Sequence, residues 1–274
     1  MSVRSRAWPP ARPRRSPTTS VVDRVRASAS CPSWAPNPTP RVRTVSDNPP
    51  IAHLYVDAHR SFVELARSLG DDDWATSTPC CPGWSVRDVL SHVAGLADDL
   101  VNGRVDGAGT DPWTAAQVER WRGAPVDELL DQWEQQAPGV AEVLEQLGEV
   151  RPPIDCCTHE HDVRQALGRP GNRDAEMVGF ATAALGRLDT AVPVEVELTD
   201  GRRFAWTSVE AEHDLLDHHD RITVRGLDQF ELFRSRLGRR SADQVRAYDW
   251  SEPPTDEILD AWFNFGPSPT DIHE

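Results

Sequence analysis

Residues 78–95 read Thr78-Pro79-Cys80-Cys81-Pro82-Gly83-Trp84-Ser85-Val86-Arg87-Asp88-Val89-Leu90-Ser91-His92-Val93-Ala94-Gly95. The first half is turn chemistry, with two prolines and a glycine in seven residues. Ser85, followed three residues later by Asp88, has the form of a capping box and marks a helix start. Val86, Val89, Leu90, Val93, Leu96, Ala97 and Leu100 then recur at spacings of three and four, which predicts one apolar helical face. His92 stands in the middle of that face.

Similar faces lie on either side. Ile51, Leu54, Tyr55, Ala58, Phe62, Leu65 and Leu69 predict a helix that Gly70 ends. Leu129, Leu130, Trp133, Val140, Val143, Leu144 and Leu147 predict another over 126–147, kinked at Pro138. A fourth runs from about Pro153 to Leu167, stopped by Gly168. Four amphipathic helices with modest connections read as a bundle over residues 49–170. Beyond Gly171 the period changes. Val192–Leu198 alternates as a strand, Thr199-Asp200-Gly201-Arg202 is a hairpin turn, and Phe204-Ala205-Trp206 returns. Ile222-Thr223-Val224 is a third strand, and helical pieces follow near 227–237 and 242–248, the second capped by Ser241. Residues 175–274 are therefore expected to form a small α+β domain, and the whole chain an α+β protein.

The chain has 274 residues and a formal net charge of −15. That charge repels phosphate backbones and argues against nucleic acid as a partner. Residues 1–48 differ: they are rich in Arg, Pro and Ser, and the first fifty residues hold nine Arg against two acidic groups. This stretch is expected to be disordered, either as an arm or as the product of an upstream start codon. No apolar run approaches the ~20 residues of a membrane span, and no apolar signal core is present, so a cytoplasmic location is expected. The five cysteines form two adjacent pairs and one single, which is not a disulfide framework. Buried thiols are expected at both pairs.

Asp155 and His159 are four apart on the fourth helix, so both side chains project from one face, one turn apart. A carboxylate and an imidazole at that spacing can grip one metal, and His92 on a facing helix is the natural third donor. Three protein donors leave positions open, as catalytic metal sites do. From spacing alone the pattern is weak, since such pairs arise by chance and a lone His on an apolar face is usually a satisfied core residue. His161, two residues past His159, faces about 200° away. Asp162 either accepts from a ligand imidazole or supports Arg164. Arg239 and Arg240 either bind a substrate carboxylate bidentately or pair charge at a helix terminus. His213, His218 and His219 are expected to be solvated.

The 78–95 stretch closely resembles the Thr-Pro-Cys-Pro-Gly-Trp-(Ser/Thr)-Val-x-Asp-(Val/Leu)-x-x-His-(Leu/Val) segment of the mycothiol-dependent maleylpyruvate isomerase family, within the DinB-like four-helix superfamily. One cysteine here is extra. Asp155–Val163 resembles the family's (Glu/Asp)-x-x-x-His-x-x-Asp-(Leu/Ile/Val) signature. Phe233–Trp250, with Gly238-Arg239-Arg240-Ser241 and Tyr248-Asp249-Trp250, is similar to its C-terminal region. The resemblance implies a DinB-like bundle whose divalent metal, zinc being the expected ion, is held by His92, Asp155 and His159. The characterised isomerase has Glu at the position of Asp155. It further implies mycothiol as thiol cosubstrate, a small electrophilic or carboxylate substrate, and an Arg from the C-terminal part, Arg239 or Arg240, at the catalytic site. The implied activity is thiol-dependent isomerisation or thiol transfer; the rival reading is a non-catalytic metal-containing binding protein.

Overall fold

The computed structural model describes residues 49–185, 188, 190, 192–206 and 221–274, together with Val22. The Arg-rich extension (Val22 apart) and the histidine cluster at 213–219 lie outside the described residues.

The apolar faces legible in the sequence become α1 (Ile51–Arg67), α2 (Val86–Asn102), α4 (Val126–Leu147) and α5 (Arg151–Ala166), with a short helix α3 (Asp111–Trp121) before α4. A 3-10 turn spans Asp71–Ala75. Ser85 caps α2 as its spacing predicts. Its side chain accepts from the Asp88 N–H, and Asp88 Oδ2 accepts from the Ser85 N–H at 2.9 Å. Gly103, at φ +66°, closes the other end in the left-handed conformation. Helices α1 and α2 each pack on both α4 and α5, which makes the expected bundle, and α3 lies outside against α2. Leu54, Phe62, Leu90, Leu129, Trp133 and Leu144 fill its core. Pro138 stays inside α4 without ending it. A proline there costs about 3 kcal/mol. Full burial of Trp133 and Val140 on either side outweighs this, since each large apolar side chain contributes about 1.5–3 kcal/mol.

After α6 (Glu176–Ala184) come β1 (Val194–Leu198), β2 (Arg203–Trp206), β3 (Ile222–Leu227), α7 (Gln229–Arg236), α8 (Ala242–Arg246), β4 (Asp249–Trp250) and α9 (Asp256–Trp262). The sheet order is β2-β1-β3-β4. β1 runs antiparallel to β2, with Val196 opposite Phe204, and parallel to β3, with Val196 opposite Val224. β3 and β4 are antiparallel. Val194, Val196, Leu198, Val224, Leu232 and Trp262 form a second apolar cluster beneath the sheet. α7 serves both clusters: Leu232 enters the second, while Phe230, Phe233 and Leu237 enter the bundle core. This two-sided helix sets the C-terminal arginines against α5.

Candidate metal centre

The turn-rich half of the 78–95 stretch is a closed loop. Thr78 N–H donates to Trp84 O and Val86 N–H to Thr76 O, both at 2.9 Å, with Gly83 at φ +86° supplying the reversal. The loop sets Trp84 over the bundle end, its ring 5.3 Å from that of His92 and 6.3 Å from that of His159.

Below it the structure brings His92, Asp155 and His159 together, with donor atoms all within 4.8 Å of one another. His92 Nε2 is 3.3 Å from Asp155 Oδ2, and His159 Nε2 is 3.4 Å from Asp155 Oδ1. Both imidazoles are buried; the Asp155 side chain is 34% exposed, but its Oδ2, the oxygen nearest His92, is shielded from solvent. Asp155 stands five residues past Val150, the N-cap of α5, so it does not cap that helix.

The outer contacts fix which ring nitrogen faces inward. Gln117 Nε2 donates to Asp99 Oδ2 at 2.9 Å, so its Oε1 is the atom facing His92 Nδ1 at 2.8 Å. Nδ1 therefore carries the proton and Nε2 presents a lone pair to the centre. Asp99 is anchored in turn by Arg104 and Arg120. On the other side His159 Nδ1 is 2.9 Å from Asp162 Oδ2, again leaving Nε2 inward. Asp162 is fully buried, between Arg234 and Arg239, each with Nη2 at 2.8 Å. Of the two roles open to Asp162, it takes the acceptor role, and Arg164 pairs with Glu160 instead. Carboxylate or amide acceptors behind each imidazole are the usual outer support of metal-binding histidines.

Electrostatics agree with a site built for a cation. Burial would raise the Asp155 carboxyl, but the His159 and His92 imidazoles hold it well below the usual carboxylate range. Burial would lower His159, but Asp155 above all, with Cys81 and Asp162, pushes it well above an ordinary imidazole. Two carboxylates flank that ring, and positive charge between them is favoured. A divalent ion would take the place of the proton on His159 Nε2, and two inward Nε2 atoms with a carboxylate between them fit an ion of the zinc type.

The remaining sequence expectations fall out as follows. Arg239 reaches the region, but its fork is occupied: Nε and Nη2 bind Asp162, and Nη1 donates to Leu237 O at 2.6 Å. Arg240 turns away to Glu231 and to Glu274. His161 faces away from the donors, onto Phe230. Cys156 and Cys157 are buried, but Cys80 and Cys81 are only partly so. Cys81 Sγ lies 3.4 Å from Asp162 Oδ2 and 3.8 Å from His159 Nδ1, behind the ring rather than at its metal-facing edge. Sequence reasoning missed Gln117, Asp99 and Arg234. Gln117 had a signal in Gly95, one turn from His92 on the face where α3 packs, which is argued below.

Residues 55–165 match the profile of the mycothiol maleylpyruvate isomerase N-terminal domain. Among solved structures, the chain is similar to the crystal structure of the mycothiol-dependent maleylpyruvate isomerase, with a TM-score of 0.50 and 11% identity over 79% of this chain and 99% of that one. A structure of a point mutant of that isomerase aligns over the same shares with a TM-score of 0.48. At this identity the likeness speaks to the fold. No curated protein matches the chain. The stretch that matches this domain profile, residues 55–165, contains His92, Asp155 and His159.

Proposed function

We propose that this protein is a metal-dependent enzyme using a low-molecular-weight thiol, mycothiol or a close analogue, to isomerise or conjugate a small electrophilic substrate. The observation that carries this reading is the commitment of both Nδ1 atoms to outer acceptors, which turns both Nε2 atoms toward Asp155. His92, Asp155 and His159 would hold the ion. A divalent ion there supplies the positive charge that keeps a thiol ionised near neutral pH. Gln117 and Asp162 hold the two rings in register. Trp84 covers the rings and limits water.

In the isomerising variant, a thiolate adds to an activated cis double bond, forming a C–S bond. The former double bond then rotates, and elimination breaks the C–S bond to return the thiolate and the trans product. No net oxidant or reductant is needed. In the conjugating variant the adduct is protonated and released. Three donors, with no fourth within reach among the described residues, favour an open catalytic centre over a closed structural one.

The test is elemental analysis of the purified chain, followed by thiol-conjugation and cis–trans isomerisation assays with mycothiol. Stoichiometric metal and thiol-dependent turnover, both lost in His92→Ala, are expected. A metal-free protein, or a metal-loaded one that no thiol engages, would sink the proposal.

A further inference from the structure

The face of α5 turned away from the donors borders a cavity of about 140 Å³, whose lining includes His161, Arg164, Gly171, Arg173, Phe230 and Glu274. A dry cavity of about 150 Å³ takes up a molecule the size of benzene, so small organic ligands fit here. One of its guanidinium groups lacks a carboxylate partner. Arg164 Nε donates to Glu160 at 2.8 Å, and the Glu274 carboxylate is held by Arg234, Nε to Oε1 at 2.9 Å. Arg173 stands 4.7 Å above the Phe230 ring and pairs with no carboxylate among the described residues. The Arg173 guanidinium is therefore available to an incoming anion. A second observation points the same way. His161 is 2% exposed, and its Nε2 has no hydrogen-bond partner among the described residues. Buried polar atoms without partners are rare, and each asks for one. The rest of the wall is the Phe230 ring, the glycine-proline turn after α5, Gln165 and His273.

We propose that this cavity binds a small monocarboxylic acid, with the carboxylate on Arg173 and the apolar body against Phe230. One guanidinium without a carboxylate partner matches one carboxylate, and guanidinium forks suit carboxylate geometry. The apolar wall disfavours inorganic phosphate, whose charges would lose hydration against it. The site lies apart from the three metal donors, yet it borders the contacts that orient them. Glu274 lines the cavity and binds Arg234; Arg234 binds Asp162, which accepts from His159 Nδ1. An acid bound here sits beside the support of a metal-site ring without touching that site.

The test is calorimetric titration of the full-length chain with propionate and, separately, with inorganic phosphate, using wild type, Arg173→Gln and Arg173→Lys. Arg173 is partly exposed, so both variants are expected to fold, and equal metal content and melting temperature check this. Propionate is expected to bind wild type and to bind Arg173→Gln at least about tenfold more weakly, as loss of a charged hydrogen bond implies, with Arg173→Lys between. No binding to wild type, or equal binding to Arg173→Gln, overturns the site. Tighter binding of phosphate than of propionate overturns the ligand class. The titration is readable whether or not the chain holds metal, so its failure is distinct from failure of the proposed reaction.

Discussion

Gly95 and Gln117 meet so closely that no side chain fits between them: a Cβ on Gly95 would lie 2.6 Å from Gln117 Cβ and 3.1 Å from its Cα. This approach of α3 to α2 lets the Gln117 amide reach His92. Alanine at a helix interior gains about 1 kcal/mol over glycine, whereas overpacking of this kind costs about 1–3 kcal/mol. The clash falls on Gln117 Cβ and Cα rather than on a flexible side-chain end, so the cost wins and Gly95→Ala is expected to lower the melting temperature. Its larger effect is on metal affinity. Pushing Gln117 away from Nδ1 removes an outer support, and such losses weaken metal binding about 10–100-fold. A competition titration with a chelating dye measures this; unchanged affinity would show that Gln117 does not orient the ring.

Loss of a donor should exceed loss of an outer contact. His92→Ala and His159→Ala are each expected to weaken metal binding by more than about 100-fold, beyond the range for outer supports. His161→Ala is expected to retain metal, because that ring packs on Phe230 on the opposite side of α5. Metal-to-protein ratios after dialysis read the difference. A reversed order, with His161→Ala empty and His159→Ala loaded, would contradict the facing of α5.

The same contacts explain what was legible in the sequence. The four bundle helices showed because each buries a broad apolar stripe, and His92, Asp155 and His159 showed because helical spacing puts α5 donors on one face. α3 did not show: only Gln117, Val118 and Trp121 of its eleven residues are buried, too few to make a period. α6 is short and α9 shorter, and each takes its shape from the cores it covers. Arg234 was invisible for a different reason. A fully buried arginine resembles a surface one in sequence, and its burial depends on Asp162 and Glu274, both far away along the chain. Arg239 binds Asp162, a carboxylate of the protein itself, which no local pattern encodes.

Acid should destabilise the bundle through His59. Its imidazole is buried edge-on against Trp133, with ring centroids 4.6 Å apart, and Nε2 has no partner among the described residues. Burial pulls its pKa from 6.5 down to about 4, with Glu134 offsetting part of the shift. The folded-state value lies below the unfolded one, so between these two pH values the unfolded chain binds the extra proton. Stability is thus unaffected above about pH 6.5 and falls progressively toward pH 4, by about 3 kcal/mol in total. Urea midpoints across this range measure it. His59→Phe should flatten the slope relative to wild type; an identical slope would assign the acid sensitivity elsewhere.

Asp162 should matter to stability as much as to the metal. It is fully buried between two guanidinium groups. Asp162→Asn removes the charge that both require, and breaking a buried pair in this way costs about 3–5 kcal/mol. For a fold of this size a drop in melting temperature on the order of 10 °C is expected. Arg239→Met, which leaves Arg234 in place, should cost less. A variant Asp162→Asn that melts with wild type would mean that the arginines find other partners.

Asp155 separates the metal reading from a purely structural one. It lies inside α5, beyond the capping position, and its carboxylate touches only the two imidazoles among the described residues. Had it been a cap, asparagine would replace it almost without loss. As a donor, its anionic oxygen is what neutralises a divalent ion, so Asp155→Asn is expected to weaken metal binding strongly while leaving the melting temperature of the metal-free protein near wild type. Asp155→Glu keeps the charge and lengthens the side chain by one methylene. The two Nε2 atoms stand 3.3 and 3.4 Å from the present carboxylate, so a longer arm must shift the ion toward the α2 side or tilt the carboxylate. Metal is therefore expected to remain bound in Asp155→Glu, somewhat less tightly, with thiol-dependent turnover altered more than affinity. If Asp155→Asn keeps full metal occupancy, only two histidines remain as donors, too few to support the centre and the chemistry assigned to it.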